Sequence, residues 1–152
     1  MQSGKGYTAI QIAVHWLTAL LILASFIISD DVESAAAGRG GPLHVWLGYA
    51  VLALIAIRLI VNGVQGKPGH IPGQSPLMQA AAIWGQRLLY LLMIAAPLTG
   101  VATWYGFDPA EDLHEGTSNL LMIVALGHAA AALWHQYILR DGALTRMLRS
   151  KA

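Results

Sequence analysis

The chain has 152 residues, of which 56% are hydrophobic and 11% charged, and its formal net charge is +1. These proportions are far from the soluble average and predict an integral membrane protein, and no basic patch for binding nucleic acid is visible. The sequence contains no cysteine, which excludes disulfides, thiolate metal sites and covalently attached haem, so any haem must be held non-covalently.

Four apolar runs are each long enough to cross a hydrocarbon core of about 30 Å as a helix. They cover approximately residues 7–29, 43–64, 77–105 and 113–139. The sequence therefore predicts an all-α, integral membrane four-helix bundle that forms a single domain over residues 1–152. A cleaved signal peptide is the alternative for the first run, but this run is too long for a signal segment and Asp30 and Asp31 follow it.

Charged residues are segregated between the two ends of the predicted bundle. The connections after the first and third spans carry net charges of −2 and −4, from Asp30, Asp31, Glu33 and Arg39 and from Asp108, Glu111, Asp112 and Glu115. The opposite side carries the basic residues Lys5, Lys67, Arg140, Arg146, Arg149 and Lys151. By the positive-inside rule, we expect the N- and C-termini to be cytoplasmic.

Five of the six histidines fall within the predicted spans: His15, His44, His114, His128 and His135. Ionisable side chains are costly in lipid and are functional candidates by default. Neutral imidazole is the usual axial ligand of haem iron, and helical bundles build cofactor sites from side chains on facing helices. The three histidines of the fourth span lie on one stripe of that helix, because steps of fourteen and seven residues return to nearly the same face.

Depth in the membrane predicts how these histidines pair. His44 and His114 both lie at the outer ends of their helices, whereas His15 and His128 lie about 12 and 13.5 Å from the inner interface. Two haems held by these pairs would be about 21 Å apart along the fourth helix, the rise of fourteen residues. A single histidine near a helix end is often only interfacial or hydrogen-bonded, but four that agree pairwise in depth favour two haems. His135, about 3 Å from the interface, is left over.

Two arginines and two glycines extend the predicted site. Arg58 and Arg87 lie about 9 and 12 Å inside their spans, where a guanidinium group needs an anionic partner such as a haem propionate. Snorkelling to lipid phosphate is the alternative for both arginines. Gly48 and Gly127 would let a porphyrin approach the backbone, although glycine is equally common at helix contacts in membranes.

Six short motifs are similar to those of a known protein family: IAVHW at 12–16, PLHVWLG at 42–48, RL at 58–59, AAPLTG at 95–100, LHE at 113–115 and GHAAAALWH at 127–135. Over nearly its whole length the chain resembles the prokaryotic cytochrome b561 family. These are four-helix diheme cytochromes related to the cytochrome b subunits of nickel–iron hydrogenases and formate dehydrogenases.

The resemblance implies a transmembrane cytochrome b domain in the bacterial inner membrane with two bis-histidine haems b. The first- and fourth-span histidines would hold the cytoplasmic haem, and the second- and fourth-span histidines the periplasmic one. It also implies electron exchange with a membrane quinone, for which His135 is the candidate hydrogen-bonding or proton-exchanging residue. A hydrogen bond to a propionate or simple interfacial exposure is the alternative role for His135.

The predicted function is electron transfer between a periplasmic donor and the quinone pool, with lipid, quinone and a redox protein as partners. The resemblance further implies superoxide to ubiquinone oxidoreductase activity, although acidic outer connections oppose long-range attraction of an anion and only Arg39 could help locally. One alternative is the cytochrome b anchor subunit of a hydrogenase- or dehydrogenase-type complex. Another, of a different class, is a haem-free membrane transporter or scaffold whose histidines relay protons.

Overall fold

The computed structural model describes residues 6–29, 43–69, 71 and 73–150. Four long helices account for most of them: α1 (Ala9–Ile27), α2 (Leu43–Gln65), α3 (Pro76–Trp104) and α4 (Ala110–Trp134). A π-helical turn (His135–Leu139) continues α4, and a short 3-10 turn (Thr145–Met147) follows. All four helices are long and apolar enough to cross a membrane. The predicted all-α membrane bundle is therefore confirmed, while Lys5, Lys151 and the connection that contains Asp30 and Arg39 lie outside the described residues.

Local sequence signals fix where the helices begin. Thr8 caps α1 through a capping box, in which its hydroxyl accepts from the Gln11 N–H and the Gln11 side chain accepts from the Thr8 N–H. α4 begins three residues before the start that the apolar pattern predicts. Its first turn carries Glu111 and Asp112, whose negative charges are favourable beside the positive end of the helix dipole.

Consecutive helices are antiparallel, and hydrogen bonds connect α1 to α2 near both ends. Gln11 donates to Asn62 at one end, and His44 lies beside Ser25 at the other. We call the end with His44 the distal end and the opposite end, where α1 begins, the terminal end. The buried core is small and lies at mid-bundle, formed by Val51, Ile55, Leu92, Met93, Ala96 and Leu121. Most other large apolar side chains are exposed, as expected for helices surrounded by lipid.

Helix α4 packs closely along α3, but among the described residues it has little backbone contact with α1 and α2. One pair of histidine side chains spans the gap between α4 and α1, and another pair spans the gap between α4 and α2. The wide spacing on this side of the bundle is what positions the site described next.

Candidate functional site

The distal histidine pair is His44 on α2 and His114 on α4. Their ring centroids are 5.9 Å apart, and the ring planes are inclined at 77°. Nδ1 of His44 lies 2.8 Å from the Ser25 carbonyl oxygen, and Nδ1 of His114 lies 2.8 Å from the carbonyl oxygen of Ala96. Because a carbonyl only accepts, each Nδ1 carries the proton and donates it. The Nε2 lone pair of both rings is therefore available for a metal ion.

Gly100 on α3 makes room for the His114 ring. A Cβ placed on Gly100 would lie 2.8 Å from Cε1 and 3.0 Å from Nδ1 of His114, closer than carbon and nitrogen atoms pack. The ring has little freedom to move away, because its Nδ1 is bonded to the Ala96 carbonyl. A side chain at position 100 would therefore displace the His114 ring from its place between α3 and α4.

We expect Gly100→Ala to displace the His114 ring and to lower the stability of the protein by about 1–3 kcal/mol through overpacking. Thermal unfolding of the purified protein in detergent measures this loss. Gly116→Ala is the matched control, since a Cβ there meets nothing within 4 Å and alanine is the better helix former. Equal unfolding temperatures for the two variants would show that the ring can shift without cost.

Two clefts adjoin the distal pair, with volumes of about 310 and 470 Å³. Four residues line both clefts: His44, Gly48, Pro97 and His114. The smaller cleft is mainly apolar and extends along α3 to Trp104. The larger cleft extends between α1 and α4 and includes the carboxylates of Glu111 and Glu115. Both imidazoles thus face open space bounded by Gly48, one of the two glycines that the sequence singled out.

The second pair, His15 on α1 and His128 on α4, lies nearer the terminal end. The ring centroids are 6.4 Å apart, with the planes inclined at 68°. Nδ1 of His15 is buried and has no hydrogen-bond partner among the described residues. The neighbour on the other side of the His15 ring is Trp16, 5.4 Å between centroids, whose indole N–H donates to the Met147 carbonyl at 2.8 Å. Among the described residues, packing and not a hydrogen bond positions the His15 ring.

Arg58 and Arg87 have different surroundings. Arg58 is half-buried, its guanidinium lies 5.6 Å from the centre of the Tyr90 ring, and its charge acts on both His15 and His128. Arg87 is exposed and lies 4.8 Å over the Trp84 ring, one turn earlier on the same helix. Of these two arginines, Arg58 is therefore the one whose charge acts on a histidine pair.

The separations of the two pairs suit a metal ion held between imidazoles. A metal–imidazole bond is about 2 Å long, so two rings on opposite sides of one ion have centroids about 6 Å apart. Among the described residues, no group of three or more His, Asp or Glu side chains could hold a metal ion. Each pair therefore offers two ligands only, which fits a metal whose remaining ligands belong to a planar macrocycle such as haem.

His135 does not join either pair. It lies in the π-helical turn after α4, and its Nδ1 donates to Asp141 at 2.5 Å, while its Nε2 has no partner among the described residues. The Ala143 N–H donates to the other carboxylate oxygen at 3.0 Å. Burial alone would raise the pKa of Asp141, but the hydrogen bonds from His135 and Ala143 outweigh it and lower the pKa below its ordinary value. His135 is thus an imidazole with one nitrogen anchored by a carboxylate and the other free.

Sequence reasoning missed the partners of the histidines. The carbonyls of Ser25 and Ala96 carry no signal in the sequence, since every residue has one. Gly100 was visible within the AAPLTG motif, but the sequence gives no reason for that glycine. Asp141 was counted only as a charge, although its position six residues after His135 was readable.

Comparison with known proteins gives consistent matches over almost the full chain. Residues 6–150 match the family described as prokaryotic cytochrome b561. Cytochrome b562 of Cereibacter sphaeroides is 39% identical over 163 residues, covering 99% of this chain and 100% of the relative. A Yersinia pestis protein named probable superoxide oxidase CybB is 31% identical, with coverage of 97% and 98%. Cytochrome b561 homolog 2 of Escherichia coli K12 is 25% identical, with coverage of 93% and 90%.

Proposed function

The chain belongs to the prokaryotic cytochrome b561 family, and we propose that it carries electrons across the bacterial inner membrane with two haems b, from a periplasmic donor to a quinone. Membrane electron transfer and haem b follow from the family. The number of haems, the quinone and the direction are the proposal. When bound, haem b would supply reversible one-electron chemistry, which suits electron transfer.

The observation that carries the proposal is the spacing of the two histidine pairs. His44 and His114 would hold one haem, and His15 and His128 the other, at ring separations of 5.9 and 6.4 Å. The two distal imidazoles each have Nε2 free and Nδ1–H bonded to a carbonyl, the outer arrangement typical of histidines that ligate metals.

Other residues are suited to hold the porphyrin itself. Gly48 lines both distal clefts, where a side chain would intrude, and Arg58 offers a positive charge for a propionate near the second pair. Arg87 remains a proposed propionate partner from its predicted depth. Its exposed position over Trp84 equally suits an arginine that reaches lipid phosphate.

The distribution of charge supports the proposed orientation of the bundle. Lys67, Arg140, Arg146 and Arg149 all lie at the terminal end, which supports a cytoplasmic location for that end. The distal pair would then face the periplasm and receive electrons. The His15–His128 pair would pass them to a quinone near the cytoplasmic surface.

His135 is the proposed residue for proton exchange with the quinone. Reduction of a quinone to a quinol takes up two electrons and two protons, so a group that donates protons from the cytoplasmic side is required. Nε2 of His135 is free, lies after the end of α4, and is backed by the Asp141 carboxylate. That arrangement suits a ring that takes up a proton from water at Nε2 and then donates the same proton to the quinone.

Superoxide is the electron donor that a relative's name favours, since the Yersinia protein is named as a probable superoxide oxidase. Superoxide would give one electron to the distal haem and leave as molecular oxygen, with no proton required. Glu111 and Glu115 in the larger distal cleft repel an anion, so close approach is expected only from the apolar cleft beside Trp104.

A pyridine haemochromogen assay on the purified full chain tests the central claim. We expect two haems b per chain, and none or one would contradict the proposal. The donor and acceptor are then tested separately: enzymatically generated superoxide should reduce the protein, and a soluble ubiquinone analogue should reoxidise it. Suppression of the reduction by superoxide dismutase is the control for the donor.

A further inference from the structure

The two histidine pairs differ in hydrogen bonding and in the sign of the charge beside them. From these differences we infer that His44 and His114 hold the haem of lower reduction potential, and His15 and His128 the haem of higher potential. The inference rests on the two-haem function proposed above. It concerns the residues that set the potentials, and these residues can be identified without reference to the donor or the quinone.

Hydrogen bonding distinguishes the two sets of imidazoles. His44 and His114 each donate Nδ1–H to a backbone carbonyl at 2.8 Å. Such a bond makes the ring a stronger electron donor to iron and so favours the oxidised state, which lowers the potential. The buried Nδ1 of His15 has no such acceptor among the described residues. His15 is therefore the weaker donor.

Charge acts in the same direction. Reduction adds a negative charge to the iron centre, so a nearby cation raises the potential and a nearby carboxylate lowers it. The half-buried guanidinium of Arg58 acts on both rings of the His15–His128 pair. Beside the distal pair, the larger cleft contains Glu111 and Glu115 instead. These two carboxylates are exposed, so solvent screens them and Arg58 has the larger effect.

The order of potentials sets a direction for electron movement inside the bundle. With His44 and His114 holding one haem and His15 and His128 the other, transfer of one electron from the first pair to the second would be downhill and would need no bond change and no proton. This downhill direction runs from the distal end to the terminal end. The membrane electron path thus favours entry at the end with the acidic residues and exit at the end with His135.

A potentiometric titration of the full chain, followed by its visible spectrum, tests the inference. We expect two resolved one-electron steps in the unaltered protein. Arg58→Leu should lower the upper step and leave the lower step in place, whereas Arg58→Lys should keep the upper step close to its original position. Glu111→Gln should produce a smaller upward shift of the lower step only.

Loss of a ligand gives an independent assignment if Arg58→Leu fails to fold. His15→Ala should remove the upper step, and His44→Ala should remove the lower step. The inference is overturned if these assignments are reversed, if Arg58→Leu moves the lower step, or if the two steps coincide. A chain that binds fewer than two haems contradicts the proposed function instead, and the haem count reveals this before any titration.

Discussion

His15→Ala and His128→Ala should each leave the protein with one haem b instead of two, and the same haem should be lost from both. The two rings face each other from α1 and α4 at 6.4 Å, so removal of either leaves an iron with a single protein ligand. Among the described residues, no third His, Asp or Glu side chain joins either pair as a replacement ligand. The pyridine haemochromogen assay counts the haems, and the spectrum of the remaining haem identifies which one is lost.

His44→Ala and His114→Ala should each remove the other haem. The four variants together therefore test every proposed ligand of both haems. His135→Ala is the matched control, because it removes an imidazole from the same stripe of α4 without touching either pair. If His135→Ala abolished a haem and His128→Ala did not, the assignment of the second pair would be wrong. If His15→Ala and His44→Ala removed the same haem, both pairs would be wrong.

The helices and the pairing of the histidines could be predicted from the sequence because both depend on the number of residues along each apolar run. Helices rise by a fixed 1.5 Å per residue, so the depth of His15 and His128 could be computed from their distance to the interface. The structure brings together the same four rings that depth selects. Depth was less useful for Arg87, since α3 has 29 residues, about 43 Å, and exceeds the hydrocarbon core of about 30 Å. Because α3 is longer than the hydrocarbon core, its length alone does not fix the depth of Arg87.

The supporting contacts could not be predicted, because each depends on how two helices cross or how the chain turns. Ala96 accepts from His114 only where α3 and α4 are in close contact, and Gly100 permits that contact. Asp141 reaches His135 because the chain reverses after the π-helical turn, at Arg140 with φ of +53° and at Gly142 with φ of +76°. A left-handed arginine has no clear signature in a single sequence.

Asp141→Asn should slow reoxidation of the reduced protein by a ubiquinone analogue about 10-fold or more, and His135→Leu should slow it about 100-fold or more, as expected for loss of a general acid. Asp141 accepts from Nδ1 of His135, which orients the ring and leaves Nε2 to take up a proton from water and pass it to the quinone. Stopped-flow mixing of dithionite-reduced protein with the quinone measures this step without involving the donor. Asp112→Asn is the matched control, since it removes a carboxylate at the opposite end of α4.

A double-mutant cycle separates positioning from a general loss of stability. If Asp141 acts through His135, Asp141→Asn should have no further effect on the rate in the His135→Leu background. The pH dependence of stability provides a second, structural measure. Because hydrogen bonds lower the pKa of Asp141, its carboxylate stabilises the fold above the ordinary carboxyl pKa, and this contribution is lost as the pH falls through the lowered value. Additive effects of the two substitutions on the quinone rate would assign Asp141 to holding the C-terminal segment and not to proton exchange.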